Sequence, residues 1–140
     1  MKALGVDMGK VRIGTAVSDP EGLMAMPCET IEYKGNVKSA SAIAALADRL
    51  EADVIVVGMP LRMDGTRGPA AEFVEGFLTE MRSATSKAVL TWDERLTSAQ
   101  AQKLMISADV SRKGRKAAVD CMAAALMLQS YLDYAKSGRG

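Results

Sequence analysis

Residues 53–58 read DVIVVG, and their reading decides the fold. After Asp53 come four β-branched apolar residues in a row. A strand with one wet face alternates apolar and polar residues; this run does not, and it is short for a helix. It predicts a strand buried on both faces, as strands of a parallel sheet read. The flanks agree. Residues 37–50 (VKSASAIAALADRL) set Ile43, Leu46, Ala47 and Leu50 at the spacing of one helical face. The Gly- and Pro-containing loop 59–68 (MPLRMDGTRG) leads into a second amphipathic helix over 69–84. Phe73, Val74, Phe77, Leu78 and Met81 form its inner face, and 87–92 (KAVLTW) predicts another strand. Strands alternating with helices are crossover units of a parallel sheet.

Upstream the period is different. Residues 2–7 (KALGVD) and 11–18 (VRIGTAVS) predict two strands joined across Met8, Gly9 and Lys10 as an antiparallel hairpin. Asp19, Pro20, Glu21 and Gly22 form a strong turn signal, and 23–33 predicts a third strand. Pro27 cannot donate to a ladder, so this strand belongs at an edge. Downstream, Thr97 to Gln100 fit a capping box, and a helix is expected to about residue 107. A basic connection over 112–116 and a last helix over 116–134 follow, with a frayed tail. The order β-β-β-α-β-α-β-α-α predicts an α/β fold: a mixed sheet with helices on both faces, in a single domain over residues 1–140.

Composition narrows the function. The chain has 18 Lys and Arg against 17 Asp and Glu, so a nucleic-acid partner would need a local basic patch. Met1 and Lys2 run straight into a strand containing Asp7, so no secretory leader is expected. No apolar run is long enough to span a bilayer. Cys28 and Cys121 lack metal-site or redox spacing and read as buried thiols of a cytoplasmic protein. There is no histidine, which excludes Ser-His-Asp and Cys-His catalysis, His-based zinc sites and a histidine general base. Chemistry must rest on Asp, Glu, Lys, Arg, Ser, Thr or a metal.

Three acidic positions stand out. Asp7 ends the first strand, either as a turn residue or as a ligand for something cationic. Asp93 and Glu94 end the strand KAVLTW, where active residues of parallel sheets gather, although acidic residues before a helix are also favoured by its dipole. Asp120 is the sole charged residue between Ala117 and Leu128. An unpaired carboxylate in a buried helix costs several kcal/mol, so it needs either an Arg or Lys partner or a metal. Small residues at Ala117, Ala123, Ala124 and Ala125 favour close packing of that helix on the sheet. Three convergent carboxylates without histidine point to Mg²⁺ or Mn²⁺, hard ions that prefer oxygen. Two such ions about 4 Å apart would activate water and steady the leaving oxygen of a phosphodiester.

The segments GVDMGKVRIGTAVSD, IVVGMPLRMDGTRG, DERLTS and KAAVDCMAAALMLQSYL, in this order, resemble the YqgF/RuvX family. This family of bacterial RNase H-like proteins is described as Holliday junction resolvase-like or as pre-16S rRNA nucleases. The resemblance covers nearly the whole chain. It implies an RNase H-like five-stranded sheet of order 3-2-1-4-5. It implies Asp7, Glu94 and Asp120 as catalytic carboxylates, with Asp93 set aside. It also implies maturation of the 5′ end of 16S rRNA, with a debated role at four-way DNA junctions.

Candidate phosphate contacts are Lys10 and Arg12 beside Asp7, Arg62 and Arg67 in the Gly-containing loop, and the cluster Arg112, Lys113, Arg115 and Lys116 leading to Asp120. Solvated surface is the alternative for each. Aromatic residues make up 4% of the chain, so backbone and shape recognition should outweigh base stacking. Thr97 and Ser98 read as caps and the methionines as core filler. Three readings compete. One is a metal-dependent phosphodiesterase acting on precursor rRNA, other RNA or branched DNA. Another is a phosphotransferase of the actin and sugar-kinase type, which needs a second domain. The last is a non-catalytic RNA-binding ribosome-assembly factor. Paired cuts at a junction require a homodimer, whereas an rRNA nuclease can act as a monomer.

Overall fold

A computed structural model describes the backbone of residues 1–97 and 112–137, and the side chains of 1–97 and 121–137. Five strands form one sheet: β1 (Ala3–Asp7), β2 (Arg12–Ser18), β3 (Ala25–Glu32), β4 (Val54–Met59) and β5 (Ala88–Asp93). Their order is β3-β2-β1-β4-β5. The first three are an antiparallel meander, while β1 with β4 and β4 with β5 are parallel. The mixed sheet and the central place of residues 53–58 are as the sequence predicts. β3 is an edge strand, and its register shifts between Gly14 and Ala16 of β2, beside Pro27.

Helices α1 (Asn36–Arg49) and α2 (Pro69–Ala84) cover one face; α3 (Arg112–Ser137) covers the other. Alternation along the strands sorts the two cores. Leu4, Val6, Ile13, Ile55 and Val57 pack with Ile43, Leu46, Val74, Phe77 and Met81. Ala3, Ala16, Val54 and Val56 pack with Ala124, Ala125, Met127 and Leu128. α3 lies tightly on β1: a Cβ added to Gly5 would stand 2.9 Å from Leu128 Cβ and 3.4 Å from the Ala124 carbonyl oxygen. Gln129 ties α3 to the start of β3, accepting from Ala25 N–H at 2.8 Å and donating to the Leu23 carbonyl at 3.0 Å.

Three expectations change. The last helix starts at Arg112, so the basic stretch is its first turn rather than a connection. Arg and Lys are good helix formers, and the one glycine there costs only about 1 kcal/mol. Nor is α3 apolar because it is buried all round: Met122, Ala123 and Leu126 are half-exposed, so part of its apolar surface faces an opening. Cys121 is buried, but Cys28 on the edge strand is only half-buried. Phe73 packs against the core as expected, half-buried at the rim of α2 and edge-on to Tyr33 with centroids 5.3 Å apart. The expected helix over 97–107 lies outside the described residues beyond Thr97. Among the described residues, no helix is long and apolar enough to cross a membrane.

Candidate active site

The parallel strands end on one side of the sheet, and the acidic positions lie there. Asp7 is the last residue of β1, paired in register with Gly14 of β2, and is half-buried. Asp93 ends β5, and Glu94 opens a short 3₁₀ turn, Glu94–Leu96. Asp7, Glu94 and Thr97 line one cleft, whose far wall is Ala123, Leu126 and Met127 of α3. Position 120 is three residues before Ala123 and seven before Met127, so it shares the helix face that forms this wall. The Asp120 side chain itself lies outside those described, as do those of Arg112, Lys113, Arg115 and Lys116.

The adjacent acids Asp93 and Glu94 have different surroundings. The Arg95 guanidinium grips Asp93: Nε lies 3.0 Å from each carboxylate oxygen, and a terminal nitrogen lies 2.6 Å from Oδ2. The Arg95 backbone N–H donates to the same carboxylate at 3.0 Å. These bonds, led by that of the guanidinium, hold the Asp93 carboxyl below the usual carboxylate range. Asp93 is thus spent on the turn, and Glu94 is the member of the pair that faces the cleft. Arg95 also donates to the Met63 carbonyl at 3.2 Å, tying the 3₁₀ turn to the loop after β4.

Glu94 has room because of β4. A Cβ added at Gly58 would collide with Glu94 Oε1 and lie 3.1 Å from its Cδ and Cγ. A second hollow borders Glu94, lined by Met8, Lys10, Gly58, Pro60 and Phe73 among others, and puts Lys10 and Glu94 on one rim.

The other basic candidates are dispersed. Arg12 is exposed at the start of β2. Arg62 folds over Gly68, where an added Cβ would be 2.7 Å from its Nε. Arg67 pairs with Glu75 at 3.1 Å in a groove with Arg82 and Thr91, apart from the cleft. Among the described side chains, no group of three or more acidic, cysteine or histidine residues gathers as a metal cage. Asp7 and Glu94 are two of the expected three donors. Their all-oxygen chemistry suits a hard divalent cation. Sequence reasoning missed Gly58 and Arg95. A glycine inside a strand marks close approach of another group, and that signal was present in DVIVVG.

The comparisons with known proteins agree with this architecture. A protein from Desulforudis audaxviator with the name "Putative pre-16S rRNA nuclease" is 40% identical over 139 residues, spanning 99% of each chain. One of the same name from Geobacillus thermodenitrificans is 46% identical, spanning 95% of this chain and 98% of its own. Among solved structures, Thermus thermophilus RuvC in complex with a Holliday junction substrate superposes with a TM-score of 0.62 at 16% identity, covering 99% of this chain and 96% of that one. The fowlpox virus resolvase, also bound to Holliday junction DNA, superposes at 0.55 and 14%, covering 96% and 99%. At these identities the two structures speak for the fold alone. The family model described as "RuvX: Holliday junction resolvase" matches residues 1–134, and the chain belongs to that family.

Proposed function

We propose that this protein is a divalent-metal-dependent nuclease that hydrolyses phosphodiester bonds, with the precursor of 16S rRNA, trimmed at its 5′ end, as substrate. One observation carries the reading: Asp7 at the end of β1 and Glu94 directly after β5, the strands on either side of β4, line one cleft, against the α3 face to which position 120 belongs. The names of the relatives support the rRNA substrate.

Asp7 and Asp120 would hold the ion, and Glu94 would hold it or orient the attacking water. A pair of Mg²⁺ or Mn²⁺ ions held by these carboxylates would supply Lewis acidity to the phosphodiester and to the attacking water. With no histidine in the chain, the carboxylates are the acceptors at hand for the water proton. Water is the nucleophile, and no covalent enzyme intermediate forms. Lys10, at the mouth beside Glu94, balances charge on the phosphate. Arg12, Arg62 and the first turn of α3, with Arg112, Lys113, Arg115 and Lys116, contact the nucleic-acid backbone further out, and Arg67, paired with Glu75 away from the cleft, contributes little.

The test is cleavage of end-labelled precursor rRNA, single-stranded RNA and a four-way DNA junction in Mg²⁺ or Mn²⁺, with Asp120→Asn purified in parallel. Cleavage of precursor rRNA by wild type, lost in Asp120→Asn, is the expected result. Cleavage of the junction alone would replace RNA by branched DNA as substrate and would require a homodimer. Equal cleavage by both proteins, or none by either, would overturn the carboxylate site.

A further inference from the structure

Glu94 and Asp7 are two strands apart, because β4 lies between β1 and β5. The Glu94 carboxylate therefore has to cross the end of β4 to reach the cleft. The β4 residue on that face is Gly58: it alternates with Val54 and Val56, which pack toward α3. Its backbone is not in the left-handed region, unlike Gly22, Gly35 and Gly65. Conformational freedom is not what it supplies. It supplies space, since Glu94 Oε1 lies within clashing distance of where its Cβ would be, with Cδ and Cγ at 3.1 Å.

The other side of Glu94 is fixed. Asp93 and Arg95 lock the 3₁₀ turn through four hydrogen bonds, and Arg95 anchors it to the Met63 carbonyl. With the backbone held, an added group at 58 is accommodated by rotating the Glu94 side chain. We propose that Gly58 is a positioning residue: its bare Cα is the passage through which Glu94 enters the cleft, and any side chain there turns the carboxylate out. The functional consequence rests on the nuclease reading above; the steric coupling does not.

Two measurements test this. A crystal structure of Gly58→Ala should keep the sheet and show Glu94 rotated away from the Asp7 side. Glu94 found in its original place would overturn the proposal. Mn²⁺ affinity, measured calorimetrically, should fall about tenfold or more in Gly58→Ala. It should fall no further when Gly58→Ala is added to Glu94→Ala. An equal loss in both backgrounds would mean that residue 58 acts through something other than Glu94, and would also overturn it. If wild type bound no Mn²⁺, the metal-site reading would fall, while the crystal structure would still decide where Glu94 goes.

Discussion

Asp7 and Glu94 share a cleft although an entire strand separates the strands that carry them. The sheet achieves this because Gly58, the penultimate residue of β4, leaves the face that both carboxylates use without a side chain. The parallel part of the sheet thus delivers two acids to one place, as strand ends of α/β folds commonly do. Asp7→Asn and Glu94→Gln keep size and shape while removing charge. Each should lower the cleavage rate on the order of 100-fold or more, the scale of losing a group that stabilises developing charge. Both side chains are half-buried rather than core, so melting temperatures should shift by only a few degrees. Single-turnover cleavage and thermal melts of the same preparations check both halves.

A carboxylate site that binds a divalent ion only when folded must also report the ion as stability. Mn²⁺ at 100 times its dissociation constant should stabilise the wild-type protein by about 2.7 kcal/mol. Asp7→Asn should abolish most of that gain, and a chelator should return the wild type to its metal-free melting temperature. Calorimetric melts across a Mn²⁺ series provide the measurement.

α3 lies close against Gly5, with Leu128 Cβ at 2.9 Å from the position of an added Cβ. Here the neighbours are a helix backbone and a branched core side chain, which cannot rotate away as Glu94 can. Gly5→Ala should therefore destabilise the protein by about 1–3 kcal/mol, the usual cost of overpacking. Since α3 also forms the cleft wall, cleavage should weaken with it. Urea unfolding monitored at Trp92, which stacks on Tyr131 and Tyr134 of α3, reads the change.

Much of this was legible in the sequence, for identifiable reasons. The unbroken apolar run at 54–57 could only be a two-faced strand, and Pro27 could only sit at an edge. Asp7 and Glu94 were visible as acids at strand ends. The division of labour between Asp93 and Glu94 was not legible from the residues, because it depends on Arg95 folding back within two positions. The start of α3 was misjudged because Gly114 and a charge run suggest a break, whereas helix propensity and packing further along carry the helix through to Arg112. The fate of Arg67 was hidden too, since its partner Glu75 is two turns into α2.

Lys10 and Arg67 should differ in their contribution to nucleic-acid binding. Lys10 is exposed at the hollow bordering Glu94, while Arg67 is already paired with Glu75 away from the cleft. A lysine that neutralises one phosphate releases about one counterion. Lys10→Ala should thus weaken binding and reduce the slope of log K against log salt by about 1. Arg67→Ala should change the slope much less. Fluorescence anisotropy with a labelled RNA at several salt concentrations separates the two.

Asp19 provides a pH test far from the cleft. Its carboxylate accepts the backbone N–H of Leu23 at 2.7 Å and of Met24 at 2.9 Å, closing the turn between β2 and β3. These bonds, that from Met24 foremost, hold its pKa below the ordinary value. A carboxyl whose folded pKa is depressed binds its proton more readily when unfolded. Its contribution to stability is therefore present above the unfolded value of about 3.9 and fades as pH falls toward the lower folded value. Asp19→Ala should be less stable than wild type at pH 7, and the gap between the two should narrow as the pH is taken from 5 to 3. Thermal melts at pH 7, 5, 4 and 3 decide the matter; a gap that stayed constant across the series would mean that the Asp19 charge contributes nothing to holding this turn.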